Sequence, residues 1–481
     1  MANHTEEGCQ SRPIDIAIVG GGCSGVLVAV QLLRHRFPGR IAIIEMHGTL
    51  GRGLAYSTAF EQHLLNVPAK GMSALPDQPS HFVEWLRARD WPDAAPDLFA
   101  PRRVYGEYLG DLLETELRKA RPGAFRRIQA EVTEVHPAAE GLCLVLGSGS
   151  VLNARRAVLA LGNPASSSPV AAAGSDIDDL CHASPWIGDA LRAPLAGERI
   201  LLIGTGLTAV DAALALLSQT PDCEVYALSR RGLLPQGHDL RRAPAEPPAF
   251  EQPGNLRAMF RDLRSRIQDL RDSDGCWRSA VDALRPVSNP LWQQLTLTDQ
   301  RRFLRHLRTY WETHRHRMAP EVRRRVTGYL RENRFRVLAG RVRKIARKGD
   351  LVEVTVASRG GTDRVFEVHR LINCSGIQEN YSHAPRPLIA ALIRGGLASA
   401  NDLGIGFRTD EGGALIDGSG AASQLLFTLG PPRRGELFET TAVPEIRVQA
   451  EALAIRLLET ARLQQGAYAG TRQNVMSHTP L

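Results

Sequence analysis

Two glycine-rich turns in one chain constrain the fold more than any other feature of its 481 residues. The first is Gly20-Gly21-Gly22-Cys23-Ser24-Gly25, the second Gly204-Thr205-Gly206-Leu207-Thr208-Ala209. Each follows a short apolar run, IDIAIVG or RILLIGTG, and each opens a run with helical apolar spacing, VLVAVQLL or AVDAALALL. Strand, tight turn and helix in that order make a G-x-G-x-x-G/A cradle. Glycine permits the turn, backbone N–H groups approach a pyrophosphate, and the pyrophosphate rests on the helix N-terminus. Gly20, Gly22 and Gly25 form the first cradle; Gly204, Gly206 and Ala209 form the second. One match alone is weak. Two in context predict an α/β chain with two Rossmann-like dinucleotide-binding domains.

The residue that reads the ribose separates the two sites. Twenty positions after Gly25, at the end of the run IAIIE, stands Glu45. A carboxylate there accepts hydrogen bonds from ribose hydroxyls and repels a 2′-phosphate. The same offset from Ala209 falls on Ser229, followed by Arg230 and Arg231. No acid occupies that position, and guanidinium forks match phosphate geometry. The first site therefore reads as FAD and the second as NADPH. Against this stands the reading of Arg230 and Arg231 as solvated charges in an arginine-rich chain.

Lysine occurs only at Lys70, Lys119, Lys344 and Lys348, so nearly all 59 basic residues are arginine. They are interspersed with 51 acidic residues, which points to genomic base composition rather than nucleic-acid binding. The net charge of +8 would still attract phosphorylated cofactors. Seven scattered cysteines include no C-x-x-C pair and no metal-type spacing, which disfavours a dithiol–disulfide reductase and suits a reducing compartment. The start, MANHTEEGCQSRP, shows no signal-peptide pattern, and no apolar run is long enough to span a membrane. Cytoplasm is the expectation.

The chain also repeats itself. FRRIQAEVTEVHP and GLCLVLGSGSVLNARRAVLALGNP follow the first turn; FRVLAGRVRKIARKGD and LVEVTVASRGGTDRVFEVHRLINCSG follow the second. Both read as alternating strands closing on an apolar strand and a glycine, Gly162 or Gly376. A β-meander that twice returns to a parallel sheet is the layout of a two-dinucleotide-binding flavoprotein. The expected division is residues 1–165 for the first part of the FAD-binding domain, 190–370 for the NAD(P)-binding domain, and 371–481 for the remainder of the first. Residues 46–124 carry two helices, at SHFVEWLRARD and RVYGEYLGDLLETELRKA, and residues 165–190 read as a linker. A helical insert at 235–330 has an apolar stripe at Phe303, Leu304, Leu307 and Trp311. His314 and His316 on the same run lack carboxylate or cysteine companions at ligand spacing, so they read as a solvated face and no metal site is expected. Pro444 suits the first turn of a C-terminal helix, with Glu445 complementing its dipole.

Taken together, the two turns, Glu45, GRGLAYST, LLNVPAKGMSALPDQPSHFVEWL, SRRGLLPQGH and FETTAVPEIRVQA resemble a large, mostly bacterial family of FAD/NAD(P)-binding proteins with largely unsettled substrates. The resemblance covers essentially the whole chain. Residues 64–79, LLNVPAKGMSALPDQP, are more distantly similar to a segment of flavin-containing monooxygenases reading Asn-x-x-Lys-x-Met and then Asp-x-Pro. In those enzymes the asparagine lies beside flavin and nicotinamide and helps protect the flavin that has met oxygen. The resemblance carries that catalytic role to Asn66, with Lys70, Met72 and Asp77 as framework. Gly51-Arg52-Gly53 stands where such enzymes place a Gly-Gly turn against the cofactor. Two departures stand out. The signature before the second turn survives only as His182 and Trp186, with Asp176 and Asp178 in place of Phe and Gly, and the Gly-Asp pair expected near the C-terminus is Gly430-Pro431.

These features imply an FAD-dependent, NADPH-using oxidoreductase, of the monooxygenase kind, that joins a small organic substrate and dioxygen. A reductase or dehydrogenase passing electrons to a quinone or protein stays open, as does a non-catalytic FAD/NADP-binding redox sensor. Asn66 has a plainer reading too, as the brace of a turn before Val67-Pro68. His182 reads as a linker residue or a cofactor contact, Asp211 as a structural contact to a neighbouring loop or a partner of the nicotinamide ribose, and Cys374 as a buried apolar residue. The sequence encodes neither substrate nor oligomeric state. Replacing Arg230 and Arg231 by Ala should weaken NADPH binding at least tenfold, about 1.4 kcal/mol, in a fluorescence titration. NADH binding should barely change, and equal losses for both would remove the pair from phosphate recognition.

Overall fold

In the computed structural model, residues 13–164, 177–239, 245–272, 276–358, 361–376, 380–383 and 386–476 are described, with side chains to residue 463. The first apolar run forms β1 (Ile14–Val19), and the helix after the glycine turn is α1 (Cys23–Arg34). β2 (Ile41–Ile44) lies parallel to β1, with Ile16 opposite Ile41. An excursion follows, carrying α2 (Gly53–Tyr56), α3 (His81–Arg87) and α4 (Arg102–Lys119), before β3 (Phe125–Ile128) joins the β2 edge. β4 (Val132–Ala138), β5 (Gly141–Leu146) and β6 (Val151–Leu159) form an antiparallel meander, and β6 re-enters the sheet parallel to β1. β1 is apolar on both faces because both are covered. Ile16 and Ile18 meet the α1 side, where Val26 and Val30 lie, whereas Ala17 and Val19 meet Leu144 and Leu159.

The second half repeats the plan. It contains β7 (Cys181–His182), β8 (Glu198–Ile203), α5 (Leu207–Gln219) and β9 (Cys223–Ser229). Helices α6 (Leu256–Asp272), α7 (Trp277–Ala283), α8 (Ser288–Gln294), α9 (Leu297–Arg302), α10 (Arg308–Arg315) and α11 (Pro320–Arg331) form the insert. β10 (Phe335–Ala339) then pairs with β9; β11 (Arg341–Lys348), β12 (Leu351–Ala357) and β13 (Asp363–Val368) make a separate antiparallel sheet. β14 (Arg370–Asn373) completes a parallel sheet of order β10-β9-β8-β14-β7. The chain next returns to the first half through α12 (Pro387–Arg394), β15 (Ala414–Ile416), β16 (Ala422–Thr428) and α13 (Val443–Met476). β16 pairs with β6, and α13 packs on α1 through Ile446, Ala450, Leu453 and Leu457. The fold is thus α/β with two dinucleotide-binding sheets, two meanders and a helical insert, as the duplicated sequence implied.

Two expectations need correction. The stretch read as a linker contributes Cys181 and His182 to the second sheet, opposite Leu371 and Ile372, because apolar Ile177 and Cys181 have a cluster to join; its residues 165–176, including Asp176, lie outside the described residues. His314 and His316 do not form a solvated face. Both are half-buried: the His314 ring lies 4.7 Å from that of Trp277 on α7, and burial lowers the pKa of His316. The stripe beside them holds, since Phe303, Leu304 and Trp311 pack against Trp292, Leu295 and Phe438. Among the described residues, no helix is long and apolar enough to cross a membrane, and no cluster of His, Cys, Asp and Glu could hold a metal.

A buried ion pair ties β14 to β8. Arg370, 1% exposed, reaches Glu198 with Nε at 2.9 Å and Nη2 at 2.5 Å from one carboxylate oxygen, and its Nη1 donates to Ala190 O at 2.9 Å. Removing Arg370 leaves the buried Glu198 carboxylate with Arg192 Nη1 at 3.5 Å and Leu195 N at 2.7 Å as its remaining partners, at a cost of up to about 3–5 kcal/mol. Arg370→Ala should lower unfolding stability by about that amount, read as a shift of the urea midpoint. A loss below roughly 1 kcal/mol, the worth of a surface pair, would show that water reaches Glu198.

Candidate functional site

The first turn is built by close backbone approach. Gly20 has φ +105°, and a side chain on it would run into the Ala160 carbonyl at the end of β6; one on Gly25 would strike the Gly20 carbonyl. Gly51 and Gly53, at φ +86° and +48°, bring the next loop down on the turn. A Cβ on Gly53 would lie 3.2 Å from Gly22 Cα, and Gly51 N donates to Gly21 O at 2.8 Å. Glu45 Oε2 accepts from Gly21 N at 2.7 Å, so the carboxylate stands against the turn as its sequence offset implied. The chain returning from β16 closes the other side. A Cβ on Gly430 would lie 3.1 Å from Ser24 Oγ, Gly430 N donates to Gln449 Oε1 at 3.1 Å, and Thr440 Oγ1 donates to Gly430 O at 3.0 Å.

The second turn copies the first. Gly204, at φ +124°, leaves no room for a side chain beneath the Cys374 carbonyl, and Gly376 follows at φ +109°. A Cβ on Gly206 or Gly376 would meet nothing within 4 Å, so that side of the turn is open. Ala209 is buried in the second core. Ser229, at the end of β9, braces the turn: Thr205 Oγ1 donates to Leu233 O at 2.7 Å and lies 2.8 Å from Ser229 Oγ, which accepts from Gly232 N at 3.0 Å. Arg230 is exposed, while the Arg231 guanidinium lies 4.5 Å above the Tyr310 ring on α10. Neither α1 nor α5 has a side-chain N-cap, which leaves their first N–H groups for an anion. The uncapped helix N-termini, the carboxylate at one turn and the guanidinium groups after the other fit two dinucleotides.

Between the turns runs the strap that carries Asn66. Leu65 N donates to Ala100 O, Ala69 N to Leu98 O and Lys70 N to Pro96 O, each at 2.8 Å, so residues 65–70 run beside 96–100. Phe99 is buried in the core of the second half, and Phe60 and Leu64 pack against that core. Asn66 is half-buried, and its carbonyl accepts from His238 Nε2 at 2.9 Å. Burial chiefly, with Arg317 adding, lowers the His238 pKa to about 4, so the ring is neutral at pH 7 and donates from Nε2. The framework residues are tied down elsewhere: Lys70 pairs with Asp97 at 2.6 Å, Met72 is buried, and Asp77 takes both Nη atoms of Arg34 at 2.7 and 2.9 Å. Burial raises the Cys374 thiol and so keeps it protonated, as a buried apolar residue. His182 is half-buried, and the Trp186 ring lies edge-on to His63 at 5.7 Å. Sequence reasoning missed His63, Phe99, Arg102 and the role of His238. Only His238 left a trace, inside SRRGLLPQGH.

Residues 17–164 match the family described as FAD-NAD(P)-binding. The uncharacterized protein YdhS of Escherichia coli (strain K12) is 23% identical over 313 residues, 56% of this chain and 57% of that protein. The chain thus spans little more than half the length of this curated relative. Ornithine N-hydroxylase of Kutzneria sp. 744 superposes with a TM-score of 0.61 at 16% identity, over 93% of this chain and 100% of that one. L-lysine 6-monooxygenase from Pseudomonas syringae gives 0.61 at 17% identity, over 92% and 99%. The bacillithiol disulfide reductase Bdr of Staphylococcus aureus gives 0.57 at 13% identity, over 94% and 99%. At such identities the likeness is one of fold. Residues 17–164 thus match an FAD-NAD(P)-binding domain model, and the whole has the fold of two-dinucleotide-binding flavoproteins.

Because folding lowers the pKa of His238 below its ordinary 6.5, the unfolded chain takes up the proton first. The stability that the neutral ring contributes is whole above pH 6.5 and is lost as pH falls toward about 4. His238→Gln keeps a donor without the titration. Its unfolding free energy should fall less steeply than that of the wild type across this window, and parallel pH profiles would show that the ring is solvated.

Proposed function

We propose that the protein is an FAD-dependent oxidoreductase that uses NADPH and acts as a monooxygenase on a small organic substrate. The observation that carries this reading is the position of Asn66, on a strap held by both halves, with its carbonyl bonded to His238. Glu45 beside the first turn favours FAD there, and Arg230 and Arg231 after the second favour a 2′-phosphate. Bound FAD would accept hydride from NADPH and pass the electrons to dioxygen, with one oxygen atom going to the substrate and the other to water. The protein's part is placement and exclusion of water. Gly20, Gly22 and Gly25, with Gly51 and Gly53, hold the first pyrophosphate; Gly204, Gly206 and Ala209 hold the second, with Ser229 as brace and Gly376 leaving room above it. The Asn66 amide can donate and accept at once, which suits a group that must steady a polar atom in a dry site.

The chain lacks a C-x-x-C pair, and burial keeps Cys181 and Cys374 protonated, which argues against dithiol chemistry of the disulfide-reductase kind. Purified protein should be yellow and should oxidise NADPH faster when amines, sulfides or ketones are supplied. In stopped-flow absorbance, reduced protein mixed with oxygen should pass through a transient species distinct from both oxidised and reduced flavin. Direct reoxidation without one would favour a reductase serving a quinone or protein acceptor. Negligible turnover despite tight flavin binding would favour a redox sensor. Asn66→Ala should shorten the life of the transient by tenfold or more, on the scale of lost electrostatic stabilisation.

A further inference from the structure

Arg102, the first residue of α4, joins three elements at once. Its backbone N donates to His63 O at 2.8 Å and its Nε to Leu64 O at 3.1 Å, which fixes the strap two and three residues before Asn66. Its Nη2 lies 2.8 Å from Asp211 Oδ2, on the second turn of α5. The Asp211 side chain is 5% exposed and that of Arg102 16%, so the pair is shielded from water. His63, wholly buried, completes the joint: Nε2 donates to Asp211 O at 2.9 Å and Nδ1 accepts from Thr58 Oγ1 at 2.7 Å. Gln62 Nε2 adds a bond to Ser218 Oγ at 2.8 Å. Two turns further along, α4 touches the first turn's partner loop, since Gly51 closes on Gly110 N and Leu109 Cβ, each 3.1 Å from a Cβ placed there.

Each end of this chain of contacts is a dinucleotide cradle. α4 backs the loop at Gly51 and Gly53, whereas α5 begins at the second turn itself. We propose that Arg102 and Asp211 are positioning residues that set the separation of the two cradles, and so the approach of nicotinamide to flavin. This rests on the functional reading given above. Apolar packing at Phe99 holds the halves together without direction, whereas the Nη2–Oδ2 approach at 2.8 Å and the Nε–Leu64 O bond at 3.1 Å fix one guanidinium between the strap and α5. Hydride transfer is steep in the nicotinamide–flavin distance: a misplacement of about 1 Å can cost on the order of 100-fold in rate.

The test compares Asp211→Asn with the double variant Arg102→Met, Asp211→Leu, which removes both charges at similar volume and so spares the fold a lone buried charge. In both, flavin reduction by NADPH without oxygen should be slower by roughly tenfold or more per bound flavin, with NADPH affinity within about threefold of wild type. Hydrogen exchange of the amides at 63–66 and 207–213, followed in the protein before any nucleotide is added, should quicken in both variants and stay unchanged in β11–β13. A purely structural role predicts lower stability and flavin content with a normal rate per bound flavin, and that result overturns the proposal. So does unaltered exchange, or a double variant that regains the wild-type rate. Wild-type protein that NADPH cannot reduce would defeat the functional reading instead, and the exchange pattern would still decide whether the joint exists.

Discussion

Each half of this molecule depends on a glycine pressed against a strand end. Gly20 lies beneath the Ala160 carbonyl and Gly204 beneath that of Cys374, both at positive φ, where any side chain would collide with backbone. These contacts let the returning strand of each meander lie beside the strand that opens the half, and they turn the helix N-terminus toward the sheet's carboxyl edge, where such folds bind ligands. The duplication in the sequence is therefore a repeated steric solution, with the same contact made twice in one chain.

What distinguishes the halves is how they are joined. The insert grips the returning tail by directed bonds: Trp292 Nε1 donates to Gly435 O at 2.9 Å, Asn289 exchanges two bonds with the Glu439 backbone, and Arg285 meets Glu445 at 2.7 Å. The Glu445 carboxylate, expected at the start of α13 to complement its dipole, thus also anchors the insert. The strap, for its part, reaches from the first half into the core of the second. Polar joints of this kind specify one relative placement, as a two-cofactor redox protein requires.

Local signals made much of this legible. Both turns, both meanders, α3, α4, the apolar stripe of the insert and the start of α13 follow from periodicity, glycine placement and a proline, all of which act over a few residues. Glu45, singled out by its offset, stands against the first turn, where its Oε2 accepts from Gly21 N at 2.7 Å. The strap's contacts were not legible: His63 and Asp211 are 148 positions apart, and Asn66 and His238 are 172 apart, with no periodic pattern linking them. The error at His314 and His316 has a similar cause. A helical wheel shows which residues share a face, but not that Trp277 from another helix covers it.

The first sheet is assembled from both ends of the polypeptide. β6 waits for β16, and α1 waits for α13, while every strand of the second sheet lies between them in the chain. A ribosome therefore releases the whole middle unit before the segment that seals the amino-terminal one exists. Until then the 157–159 end of β6 is a bare edge and α1 an uncovered apolar ridge, the surfaces that invite chaperones and wrong partners during synthesis.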